Sequence, residues 1–222
     1  MYLTPQDLDA QMPDGANLLS IEPEMESSLH YAQLVLLVTC LELLWQGRSD
    51  YFLGANLTIY YSRQQLRSQD FRGPDLFLVK DTANHPRKSW VTWEEGGRYP
   101  SLIVELLSES TAKVDRTLKK TLYQDIFHTA EYFWFSPDSL EFEGFRLGSQ
   151  GYEAIVPTSQ GWRWSEELGL YLGIEAGQLR YFSITGGLIP TPQEAEQQQR
   201  QRAERLAEQL RSLGVEPDLG ED

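Results

Sequence analysis

Gly73-Pro74-Asp75-Leu76-Phe77-Leu78-Val79 and, further on, Pro100-Ser101-Leu102-Ile103-Val104-Glu105-Leu106-Leu107-Ser108 decide how this chain is read. Each is a run of strand-favouring apolar residues that carries one carboxylate. Burying a carboxylate is costly unless a partner or a cation offsets its lost hydration, so two such strands suggest a shared metal. Period-two alternation sets Ile103, Glu105 and Leu107 on one strand face and Leu102, Val104 and Leu106 on the other. Glu105 therefore faces wherever its apolar neighbours face. Taken alone, it reads more readily as a strand-end carboxylate that is hydrated or paired with an Arg, and the next stretch shifts that balance. A third stretch, Asp115-Arg116-Thr117-Leu118-Lys119-Lys120-Thr121-Leu122-Tyr123, follows Ser108-Glu109-Ser110-Thr111 and reads as helix. Spacing of four and eight places Asp115, Lys119 and Tyr123 along one side of it. Lys120, about 100° away, is expected to project toward solvent or substrate backbone.

These stretches, closed by Glu131-Tyr132-Phe133-Trp134-Phe135-Ser136-Pro137-Asp138, occur in an order that resembles the Uma-type restriction endonuclease family. That family belongs to the PD-(D/E)XK nuclease-like superfamily. The resemblance runs from about residue 20 to 185. It implies an α/β fold with a restriction-endonuclease-like core of helix, three strands, helix and strand on a mixed sheet. The implied activity is metal-dependent hydrolysis of DNA phosphodiester bonds with Mg²⁺ or Mn²⁺. Asp75 matches the family's first metal-binding Asp, and Glu105 its second carboxylate. The usual superfamily Lys would stand two residues after Glu105, where this chain has Leu107. In the Uma-type pattern the Lys comes from the following helix, and Lys119 matches it. A backbone carbonyl near Leu106 is expected to complete the metal shell. The superfamily often adds an acidic residue from its first helix, and Glu26, His30 and Glu42 all qualify here. Glu26 is preferred as the metal ligand, because the helix start can face a site without disturbing the packed stripe.

Two other functional readings stand beside the nuclease. One is a catalytically inactive member that keeps the fold and binds nucleic acid or a protein partner; the other is a metal-dependent hydrolase of a different phosphate ester. The chain has no His-Glu-x-x-His, Cys-x-x-Cys, P-loop or Gly-x-Gly-x-x-Gly, so zinc, ATPase and dinucleotide readings lose their main support. Ser108, Ser110 and Thr111 read as helix-entry caps rather than nucleophiles.

With 222 residues, 41% of them hydrophobic and 12% aromatic, the chain suits one sizeable domain. Its single cysteine, Cys40, lies within an apolar run and reads as a buried, inert thiol. No basic and apolar leader opens the sequence, and the longest apolar stretch is too short to span a bilayer, so no membrane is expected and a cytoplasmic location is. The net charge of -14 argues against a protein that coats nucleic acid non-specifically. Residues 72–120 soften this, with nine Lys or Arg against seven Asp or Glu.

Residues 1–23 read as an extended lead-in, 24–185 as the restriction-endonuclease-like domain, and 186–222 as linker, polar helix and acidic tail. Within the domain, a first helix is expected from about Glu24 to Trp45 and a strand over Tyr51–Tyr61. A hairpin around Trp90–Arg98 follows, then a site helix from about Thr111 to His128 and a strand at Tyr132–Ser136. Glycine-punctuated alternation from Leu140 to Ile184 reads as an antiparallel β extension. Trp162, Trp164, Tyr171 and Tyr181 in it read as packing aromatics rather than a base-stacking platform. Ala203, Leu206, Leu210 and Leu213 recur at coiled-coil spacing, so a homodimer through a helical pair across a two-fold axis is the secondary expectation.

Overall fold

The two carboxylate-bearing runs lie side by side as antiparallel strands at the centre of a six-stranded sheet. The computed structural model describes residues 18–22, 25, 27–62, 73–108 and 111–215. Helix α1 (Ser28–Leu44) is entered through Ser27, whose side chain accepts from the His30 amide. Five strands follow: β1 (Tyr51–Ala55), β2 (Ile59–Tyr60), β3 (Leu76–Lys80), β4 (Trp90–Val91) and β5 (Leu102–Leu106). Next come α2 (Ala112–Val114), a π-helical turn (Asp115–Lys119) and α3 (Lys120–Asp125), which run on as one stretch, the site helix. After it stand β6 (Glu131–Phe135), β7 (Phe142–Gly148), β8 (Gly151–Ala154), β9 (Arg163–Ser165), β10 (Leu170–Glu175), β11 (Gln178–Phe182) and α4 (Pro192–Ser212).

The sheet order is β1-β3-β5-β6-β7-β8, and within it only β5 and β6 run parallel. A parallel pair needs a crossover, and the site helix supplies it. Helix, three sheet strands, helix and strand is thus the order of the core. The sheet is mixed, as expected for this fold class, with an antiparallel extension and a C-terminal helix.

Alternation along β3 and β5 sorts the core into two layers. Leu76, Leu78, Leu102, Val104 and Leu106 pack against α1 and the separate sheet β11-β10-β9. Phe77, Val79, Ile103 and Leu107 face the other way, toward Tyr123 and Phe127 of the site helix region and Ile59 and Trp90 of the short strands. Every residue of β5 and of β6 is buried, as befits central strands covered on both faces.

Several local expectations change. The Tyr51–Tyr61 strand is broken at Asn56, whose φ of +44° turns the chain out of the sheet. Trp90 and Val91 form no hairpin; they pair in parallel with Ile59 and Tyr60, a contact 31 residues away in sequence that local patterning cannot reveal. The β extension divides, with β7 and β8 lengthening the main sheet and β9–β11 forming their own. In α4 only Ala207 is buried, while Leu206, Leu210 and Leu213 are exposed. The helix is fastened at its start instead, by a capping box between Thr191 and Glu194 and by Arg180, which donates to both Glu194 oxygens and to the Ile189 carbonyl. Trp162 stacks on Phe182 at 4.0 Å and Trp164 meets Tyr171 edge-on, so these aromatics are packing residues.

Two strand glycines mark close contacts. Gly54 is the cross-strand partner of Phe77, and Gly144 of Phe133. A Cβ built on Gly54 would stand 2.2 Å from the Phe77 ring. Phe77 is fully buried and has nowhere to go. Gly54→Ala should therefore lower stability by about 1–3 kcal/mol through overpacking, read as an earlier urea midpoint with an unchanged slope. An unshifted midpoint would mean that the Phe77 ring moves aside freely.

Candidate active site

Asp75 stands at the entrance to β3, and the register Leu76↔Val104 brings it beside Glu105 of β5. Its Oδ2 accepts from the Leu106 amide at 2.8 Å, and its own amide points at Glu105 Oε2 at 3.4 Å. The site helix crosses the same sheet face. From it, Lys119 Nζ donates to Glu105 at 3.0 Å and lies 3.0 Å from Asp115 Oδ1. The Tyr123 hydroxyl donates to Glu105 Oε1 at 2.7 Å. Glu105, Asp115 and Tyr123 are almost wholly buried, and Lys119 is 9% exposed. Asp75 keeps 18% of its side chain exposed, toward a cleft of about 70 Å³ that Leu106, His30, Asp115 and Lys119 also line.

The sequence dictates this convergence in two steps. Alternation turns Glu105 to the face that Ile103 and Leu107 share, where the site helix packs. The spacing of four then stacks Asp115, Lys119 and Tyr123 toward it. The π-helical turn sets the angle of that stack, because it carries one more residue in each hydrogen-bonded ring than an α-helix does.

Charge follows geometry. Burial pushes the Glu105 carboxyl well above its ordinary range, against the pull of the Lys119 ammonium and the Tyr123 hydrogen bond and with the added push of Asp115 and Asp75. Burial opposes the Lys119 charge, but the carboxylates of Glu105, Asp115 and Asp75 outweigh it and hold the ammonium protonated. Burial likewise raises Asp75, yet the His30 hydrogen bond, Lys119 and the Leu106 amide leave it below the usual carboxylate range. Burial and the neighbouring Glu105 keep the Tyr123 hydroxyl protonated, and so a donor.

Of the residues singled out from sequence, Asp75, Glu105, Lys119, Asp115 and Tyr123 meet here, and the Leu106 backbone lines the cleft. Among the first-helix residues, His30 reaches the cleft, with Nε2 3.4 Å from Asp75 Oδ1. Glu42 is exposed more than three turns further along α1. Glu26 lies outside the described residues. Leu107 is buried in the apolar layer. Lys120 departs from expectation: its ammonium lies over the Phe145 ring, 3.3 Å from the centroid, and 5.4 Å from that of Trp134.

Sequence reasoning missed Glu22. It lines the cleft from the lead-in, where Thr58 donates to its Oε1 at 2.7 Å and Ser20 and Ile21 bond to the same hydroxyl. A signal existed, since Leu18-Leu19-Ser20-Ile21-Glu22 is a further apolar run closed by a carboxylate.

The donors suit a hard divalent cation: the carboxylates of Asp75 and Glu105 and the Leu106 carbonyl are all oxygen. Among the described residues no three His, Cys, Asp or Glu side chains converge as a metal cluster, so a cation held here would need waters to complete its shell. A cleft of about 70 Å³ has room for those waters and not for a nucleotide.

The raised Glu105 carboxyl makes stability depend on pH. A raised carboxyl contributes stability in full below its unfolded value, near 4.5, and loses it as pH climbs toward the folded value. Glu105→Gln cannot ionise. The melting temperature of the variant minus that of the wild type should therefore grow as pH rises above about 4.5. A constant difference would mean that Glu105 titrates as an ordinary carboxylate.

A model of the Uma2 family, described as "Putative restriction endonuclease", matches residues 5–179. No curated protein sequence matches the chain. Among solved structures, one described as a "putative nuclease belonging to DUF820" from Anabaena variabilis is 14% identical, with a TM-score of 0.45 over 66% of this chain and 76% of that one. The family match covers well over half of the sequence, and the chain belongs to the Uma2 restriction endonuclease family.

Proposed function

We propose that this chain is a metal-dependent endonuclease that hydrolyses DNA phosphodiester bonds, with Asp75, Glu105 and Lys119 as its reacting set. The observation that carries this reading is the contact of fully buried Glu105 with both the Asp75 amide and the Lys119 ammonium, whose residues line the cleft above it. An ammonium beside paired carboxylates suits phosphodiester hydrolysis, in which water attacks phosphorus and the leaving oxygen departs: one group can hold charge on the phosphate, and others the water's proton and a cation. The family supports the same class of chemistry.

Asp75, Glu105 and the Leu106 carbonyl would hold Mg²⁺ or Mn²⁺. When bound, such a cation neutralises charge on the scissile phosphate and lowers the pKa of an attacking water. The chain's own groups do the rest. Leu106 N–H fixes the Asp75 carboxylate, Tyr123 fixes one Glu105 oxygen, and Asp115 restrains the Lys119 ammonium so that little reorganisation remains at the reacting step. Since the cleft does not hold a nucleotide, the DNA backbone would lie across its mouth. A net charge of -14 opposes that association.

A plasmid-nicking assay with Mg²⁺, Mn²⁺ and EDTA tests the reading. Wild type should nick in either metal and stop in EDTA, while Asp75→Asn should fall to background. Lys119→Met should lower the single-turnover rate by on the order of a hundredfold while keeping metal-induced thermal stabilisation. Methionine is the better replacement, because it fills the volume that alanine would leave open beside two buried carboxylates. A wild type that gains stability from Mn²⁺ but never nicks would identify the alternative, a catalytically inactive nuclease fold that binds nucleic acid or a protein partner.

A further inference from the structure

Resting on that reading, we propose that Tyr132 is a positioning residue: its buried hydroxyl pins the π-helical turn that sets Lys119 against Glu105. Tyr132 is the second residue of β6 and is fully buried. Its hydroxyl donates to the backbone carbonyl of Asp115 at 2.9 Å, the first residue of the π-helical turn. The same residue's side chain lies 3.0 Å from Lys119 Nζ. One residue thus ties the sheet, the irregular turn and the reacting ammonium together.

The physical reason for a pin lies in the turn itself. A π-helical turn is rare and persists only where its surroundings hold it. It carries one more residue in each hydrogen-bonded ring than an α-helix does. An α-helix also keeps residues four apart on one side, but it holds one residue fewer in each hydrogen-bonded ring, so a return to α geometry would shift Lys119 around the axis relative to Glu105 on the sheet. Nothing else about Tyr132 demands a hydroxyl. Its ring meets Tyr123, Trp134, Phe145 and Tyr152 in an aromatic layer that phenylalanine would fill equally well. The hydroxyl is therefore the part of this side chain that serves the site.

Tyr132→Phe removes that hydroxyl alone. A matched control is Tyr152→Phe, which removes a similar bond, from a hydroxyl to the Thr129 carbonyl at 2.8 Å, in the same aromatic layer and away from the site. Both variants should lose comparable melting temperature. Only Tyr132→Phe should also lose at least tenfold in single-turnover nicking rate, with its KM for plasmid within twofold of wild type. Equal rates in the two variants would overturn the proposal. A crystal structure of Tyr132→Phe reads the positioning without any assay: residues 115–119 should wind as α-helix, with Lys119 Nζ beyond hydrogen-bonding reach of Glu105. Retention of the π-helical turn and of the Lys119–Glu105 contact would refute it, even if the wild-type protein cleaves nothing and the nuclease reading fails with it.

Discussion

Everything at this site depends on how one buried carboxylate is compensated. Glu105 sits in the middle of the sheet with no access to water, and an isolated charge there would cost several kcal/mol. Lys119 and Tyr123 offset that cost from the site helix, and the Asp75 amide does so from the next strand. These three donors come from two elements that must be docked before any of them can act. The compensation therefore couples the docking of the site helix to the state of the sheet.

The core is arranged around that coupling. One sheet face rests on α1 and the β9–β11 sheet with aliphatic side chains. The other carries the aromatic layer of Tyr123, Phe127, Tyr132 and Trp134, whose hydroxyls reach inward to Glu105 and to the Asp115 carbonyl. Rigid rings with polar tips suit this role, since they fill the layer and position donors at little entropic cost. The opposite layer reaches the cleft too, for α1 contributes His30 from its first turn while burying its leucines on the other sheet face.

Glu131 is an instructive contrast. It too is a carboxylate in an apolar strand, Glu131-Tyr132-Phe133-Trp134-Phe135, and it too is buried. Yet it accepts from Arg146, Ser165 and the Glu166 amide, and so joins β6 and β7 to the second sheet. A carboxylate in an apolar run is thus not by itself a sign of chemistry. What separates Glu105 from Glu131 is the partner: a guanidinium and a hydroxyl that close a joint, against an ammonium on a helix that also lines an open cleft.

The sequence by itself determined the parts governed by short-range periodicity. Alternation placed Glu105 on the face of Ile103 and Leu107, and the spacing of four put Asp115, Lys119 and Tyr123 on one helix side, because both periods follow from local backbone geometry. The ordered motifs likewise carried the fold class. Long-range packing decided the rest. The parallel pairing of Trp90–Val91 with Ile59–Tyr60, the division of the β extension and the choice of His30 over Glu42 depend on contacts between distant segments, which no local period encodes. So do the π-helical turn and the fate of Lys120. Asp115–Lys119 reads as ordinary helix, and only the docked Tyr132 gives its first carbonyl a partner from the sheet. Lys120 bends over Phe145 because β7 brings that ring beneath it. Glu22 enters the cleft for the same reason: Thr58 captures it, and two residues 36 positions apart meet only when the chain is folded.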